Sequence, residues 1–114
     1  MSLAETLSEI TRIPGVHGAL VVSRDDGLVV ADALMEGVEG DAVAALAASL
    51  AARMRGVTTA LGQPEPVLLM LAGTDGTLLL APGPSGLLLV AVAGSDVNVS
   101  ELRLGVLAAA GTAF

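Results

Sequence analysis

His17 is the one histidine of the chain, and cysteine is absent. A zinc site needs several ligands, and a histidine base needs a partner that orients it. Neither is supplied nearby. With Val16 before it and Gly18 after it, His17 reads as a structural residue at a strand entrance. Asp25 and Asp26 stand side by side before Gly27. Two catalytic carboxylates need different surroundings to split their pKa values, and neighbours in a tight turn share one. Aspartate in such a turn serves local backbone donors. The glycine-rich pieces Gly73-Thr74-Asp75-Gly76 and Gly83-Pro84-Ser85-Gly86 lack the Lys-Ser/Thr of a phosphate loop. GxSxG and HExxH are also missing, and there is no lysine, tyrosine or tryptophan. The residues therefore argue against an enzyme, and no cofactor or metal site is expected.

Two cations remain. Arg53 and Arg55 are close together in a chain of net charge −7. They either offset the acidic surface or contact an acidic or phosphate-bearing partner, where arginine gives bidentate contacts. The other cations are Arg12, Arg24 and Arg103. So acidic a chain lacks the basic patch that nucleic acid or an anionic membrane surface requires.

Both arginines lie in the stretch that organises the chain, DAVAALAASLAARMRGVTTALG from Asp41 to Gly62. Asp41 can cap a helix there, and Gly62 followed by Pro64 can end it. At about 100° per residue, Val43, Leu46, Leu50, Met54, Val57 and Leu61 share one face, the spacing of a helix laid on a core. The other face carries Asp41, Ala44, Ala45, Ala48, Ala52, Arg55 and Thr59, with Ser49 and Arg53 at its flanks. These small residues reflect helix propensity alone, or a flat surface meant to lie close against another chain.

Around this helix the elements alternate. Ser2-Leu3-Ala4-Glu5 is a capping box opening a short helix that ends before Pro14-Gly15. GALVVS and LVVAD flank an Asp-Gly turn, and VLLMLA and TLLLAP flank another; both are hairpins. LLLVAVA is a fifth strand, and Asn98-Val99-Ser100-Glu101 caps a last helix facing inwards through Leu102, Val106 and Leu107. The order predicts an α+β fold, α-β-β-α-β-β-β-α, with one five-stranded antiparallel sheet and helices covering its faces. Residues 1–114 fit a single domain.

The chain is 54% hydrophobic and its mean hydropathy is +0.80. No apolar run approaches the roughly 20 residues of a membrane helix. The excess apolar surface predicts a subunit interface. VLLMLA has no polar residue on either face, so as an edge strand it needs another subunit to cover it. The N-terminus MSLAETLSEI has no signal-peptide pattern, and with no cysteine a cytoplasmic location is expected.

The chain resembles the roadblock domains, the family of the roadblock-type dynein light chains and of the bacterial polarity regulators called MglB. The resemblance rests on the element order, on PGVHGALVVSRDDGLVVAD, on the alanine-rich helix, and on GTDGTLLLAP followed by LLLVAVAG. It implies a roadblock/profilin-like fold, and a homodimer or a pairing with a homologous roadblock subunit. In the family, the third strand pairs with its mate into one ten-stranded sheet, and the long helices lie side by side. Those elements here are Val67 to Ala72 and Asp41 to Leu61. Val67, Leu68, Leu69, Met70 and Leu71, with Ala44 and Ala51, are the expected dimer-interface residues. In bacterial members the paired helices dock a small Ras-like GTPase and regulate its nucleotide cycle without an arginine finger. Ala45, Ala48, Ser49, Ala52, Arg53 and Arg55 are the expected partner-binding residues.

The expected function is thus a non-catalytic dimeric module regulating a small GTPase, with Arg55→Glu breaking partner binding but not the dimer. The alternative is a scaffold or adaptor subunit with no effect on nucleotide turnover. A third class is a small-ligand sensor or enzyme using the acidic loop from Glu36 to Asp41.

Overall fold

The structure, a computed structural model, describes residues 2–112. The first helix, α1 (Leu3–Thr11), starts at its capping signal: Ser2 Oγ accepts the Glu5 backbone N–H at 3.2 Å. It is followed by β1 (Val16–Ser23), β2 (Val29–Leu34), α2 (Gly40–Ala60), β3 (Leu69–Ala72), β4 (Gly76–Pro82), β5 (Leu87–Gly94) and α3 (Val99–Thr112). Asn98 Oδ1 accepts the Glu101 N–H at 3.0 Å and starts α3 as its sequence predicts. The start of α2 differs from expectation. Glu39 is its cap residue and makes no side-chain cap hydrogen bond, while Asp41 lies in the first turn. There its charge favours the positive end of the helix dipole. Gly62, at φ +69°, stops α2 as expected.

The five strands form one antiparallel sheet in the order β2-β1-β5-β4-β3. The α+β order read from the sequence is the observed one. Gly27, at φ +71°, turns the first hairpin, where Asp26 Oδ1 accepts the Leu28 N–H at 3.1 Å. The third strand is shorter than VLLMLA. Leu69 pairs with Leu80, so continuing that register would set Val67 opposite Pro82, which has no N–H to give. Val67 and Leu68 therefore lie outside the ladder.

The strands bury side chains on both faces, so their apolar runs are nearly continuous rather than alternating. On one face Leu7 and Ile10 of α1 and Leu102, Val106 and Ala110 of α3 pack against Ala19, Val21, Leu79, Leu89 and Ala91. Leu107, expected inside, is only half-buried. On the other face α2 packs alone against Leu20, Val22, Leu80, Leu88 and Val90.

The two sheet edges differ. β2 carries a bulge: the pairing steps from Val21↔Ala31 to Val22↔Val29 and leaves Val30 unpaired, and the exposed Asp32 follows. β3 pairs with β4 at four consecutive positions without a break, and Leu-Met-Leu-Ala holds no charge and no proline.

The loop from α1 to β1 turns at Gly15, whose φ is +91° and whose carbonyl accepts the Gly94 N–H at 2.8 Å. A Cβ added there would lie 2.9 Å from the Val97 Cα, a backbone atom that cannot swing aside. Left-handed backbone costs an L-residue about 1–2 kcal/mol even without a clash. Gly15→Ala is expected to lose at least about 2 kcal/mol, seen as a lower midpoint in urea unfolding.

Candidate interaction surface

A helix resting on a sheet can bury large side chains at a distance or small ones close up. The spacing of the large residues implies the first, and α2 does the second. Ala44, Ala47 and Ala51 are its buried residues, with Val43, Ala48 and Leu50 partly buried beside them. The sheet supplies the bulk from Leu20, Val22, Leu80, Leu88 and Val90, so the helix needs only methyl groups to close on it. The close fit extends to the first hairpin, where a Cβ on Gly27 would sit 3.3 Å from the Ala45 Cα and 3.4 Å from the Ala48 Cβ.

This shifts the buried stripe around the helix from the expected one: Val43, Leu50 and Met54 stay partly buried, and Asp41, Ala45, Ala52, Arg55 and Thr59 stay exposed as expected. Ala44 and Ala51, expected at a dimer interface, are buried within their own chain and unavailable to a second one. The other large residues face outwards: Leu46 is 65% exposed, Val57 50% and Leu61 69%. Of the expected partner-binding residues, Ala45, Ser49, Ala52, Arg53 and Arg55 are exposed and Ala48 is half-buried. The outer surface of α2 therefore carries exposed Leu46 and Val57 beside the small residues and Arg53.

The sheet continues this surface. α2 rests mainly over β1, β2 and β5. Toward the other edge cover thins: Leu69 and Leu78 are half-buried, and Leu71, paired with Leu78, is 47% exposed. Paired residues of an antiparallel ladder share a face, so Leu71 stands on the α2 side. Met70 faces the other way, paired with Leu79, and is exposed. Val67 is exposed and Leu68 is half-buried against the α1–α3 core. The expected interface residues 67–71 thus come together at one edge, where Leu69 and Met54 of α2 line one small cavity.

The link from α2 to β3 is held by a cluster the sequence reading missed. Glu65 pairs with Arg24 at the end of β1 and lies 3.6 Å from the Nε of Arg55. Arg24 is well covered, its side chain 10% exposed, whereas Glu65 is 37% exposed. Arg55, expected to point at a partner, is thus engaged within the chain. The hydrogen bond from Arg24 holds the Glu65 carboxyl below the usual carboxylate range; partial desolvation opposes it, and the charges of Arg24 and Arg55 reinforce it. A depressed carboxylate pKa adds stability that is present above the unfolded value and lost as pH falls through the folded one. Between about pH 6 and pH 3, the urea midpoint of the wild type is expected to fall more steeply than that of Glu65→Gln.

His17 and Asp96 both approach Gly94, where an added Cβ would lie 3.0 Å from the His17 Nε2 and 2.9 Å from the Asp96 Oδ1. His17 is exposed on β1, and its carbonyl accepts the Met35 N–H at 2.8 Å. Among the described residues no three His, Asp or Glu side chains gather as metal ligands. Among them too, no helix is long and apolar enough to cross a membrane.

One family profile, described as Roadblock/LC7 domain, matches residues 3–93. An uncharacterised protein of Methanocaldococcus jannaschii is 30% identical over 98 residues, covering 86% of this chain and 81% of that protein. Among solved structures, an MglB described as having a tetrameric arrangement is 26% identical at a TM-score of 0.84, covering 94% of this chain and 81% of that one. A Roadblock/LC7 domain from Streptomyces avermitilis superposes at a TM-score of 0.82 with 23% identity, covering 93% of this chain and 89% of the other.

Proposed function

This chain belongs to the Roadblock/LC7 domain family, and from that premise we propose that it is a non-catalytic, self-associating module that binds a small Ras-like GTPase and modulates its nucleotide cycle. One observation carries the reading. Large apolar side chains stand exposed on α2 at Leu46 and Val57, at its C-cap Leu61, and on the edge strand β3 at Met70 and Leu71. Apolar surface gathered in this way is what a second subunit covers. The open backbone of β3 supplies the hydrogen bonds that extend a sheet across two chains. The mate is a second copy or a homologous roadblock subunit, and the working compartment is the cytoplasm.

With β3 and the apolar flank taken up by the mate, the outer side of α2 remains for the GTPase: Ala45, Ser49, Ala52 and Arg53, all exposed. Small side chains let a partner approach closely, and Arg53 offers a cation to its acidic or phosphate groups. The likeness to MglB, where the sequence resemblance implies GTPase docking, supports this choice of partner.

The test is a tagged pull-down from lysate of the source organism, with and without a non-hydrolysable GTP analogue, followed by hydrolysis and nucleotide-release assays on the GTPase recovered. Enrichment with the analogue and a changed rate are the expected results. Recovery of itself and large assembly subunits, with no nucleotide dependence, would replace this reading with a scaffold role.

A further inference from the structure

We propose that Glu65 is the positioning residue of the β3 edge, and that its ion pairs with Arg24 and Arg55 set the strength of self-association; this rests on the pairing through β3 proposed above. Residues 61–68 form no ladder, and most of them are exposed. β3 has hydrogen-bonded neighbours on one side only, along four positions of β4. A short edge strand behind an irregular connection is a low-stability segment unless something ties it down.

The tie is Glu65, which stands four residues before β3 begins. It is joined to Arg24, which is mostly covered just after β1, and it lies near Arg55 on α2. One carboxylate therefore anchors the connection to both the sheet and the helix. Arg24 is distant in sequence, 41 positions before Glu65.

Anchoring matters because a strand that must be ordered on association lowers the observed affinity, whereas one already in place does not. Pro64 and Pro66, on either side of Glu65, narrow the backbone choices further. Without the carboxylate, Arg24 also loses the partner of a mostly covered charge, and the end of β1 shares in the loosening.

The experiment compares wild type, Glu65→Gln and Arg55→Gln by sedimentation across a dilution series, with amide exchange of residues 69–72 read against those of β5. Glu65→Gln is expected to raise the dimer dissociation constant about tenfold and to speed exchange in β3 but not in β5. Arg55→Gln, at a half-exposed side chain, is expected to raise it about threefold, with no further loss when combined with Glu65→Gln. A wild-type dimer and unchanged dissociation constants in both variants would overturn the role of Glu65 while leaving the pairing intact. A wild type that stays monomeric at every concentration would overturn the pairing itself, and β3 exchange in Glu65→Gln would then still report whether the anchor holds. Should Glu65→Gln fail to fold, Arg55→Gln decides: an unaltered dissociation constant counts against the proposal.

Discussion

Leu71→Lys is expected to leave the chain folded and make it monomeric, raising the dissociation constant of the dimer at least about a hundredfold. Leu71 lies on an edge strand and is 47% exposed, so its substitution removes little from the chain's own core. In the proposed dimer it sits at the centre of the joint, on the side shared with α2. A lysine there must bury its ammonium against apolar surface or hold the second chain away. Inward-pointing charges on edge strands protect natural sheets from pairing in this way. Val30→Lys supplies the control, because Val30 stands unpaired at the bulge of the opposite edge. Sedimentation equilibrium is expected to give a monomer for the first variant and a dimer for the second. An unshifted dimer in Leu71→Lys would rule out this edge as the joint.

Ala47→Leu is expected to destabilise the chain by about 2–3 kcal/mol, although it adds a better-buried apolar residue. Ala47 is fully buried where α2 meets the sheet, among Leu20, Val22, Leu88 and Val90. Three added carbons have no space unless the helix lifts, and lifting it breaks the close approach along its length. For a domain of this size the melting temperature is expected to drop roughly 10 °C or more. The adjacent Leu46→Ala is expected to change monomer stability by no more than about 0.5 kcal/mol, since Leu46 is 65% exposed. An inward Leu46, as its helical spacing alone implies, predicts instead a large loss in Leu46→Ala. Melts of both variants in the Leu71→Lys background separate folding from association. A large loss in Leu46→Ala there would restore the earlier assignment of faces.

The contrast between these neighbours shows where the sequence was legible. Helix starts at Ser2 and Asn98, the stop at Gly62 and the turn at Gly27 follow from chemistry that acts over a few residues, and those elements stand where they were expected. The sheet followed, because five short apolar runs between such signals leave few other arrangements. The orientation of α2 did not follow. A helical wheel ranks faces by the size of their side chains, yet Ala44, Ala47 and Ala51 recur at the same spacing as a stripe of leucines. Which stripe faces in depends on the bulk already supplied by the sheet, a property of residues far off in the chain. The anchor at Glu65 was hidden for the same reason. Its one local signal was a carboxylate lying between two prolines in an otherwise uncharged connection.

The unequal edges bear on how far assembly can go. A sheet with two open edges has no natural end: each added chain presents a new site, and growth leads to fibres. Here the bulge at Val30 and the charge of Asp32 close one side, while β3 leaves the other open. Joining two open sides consumes both and leaves only closed ones at the outside. In the proposed dimer the sheet therefore ends at two chains, and a larger complex would be built through the helices.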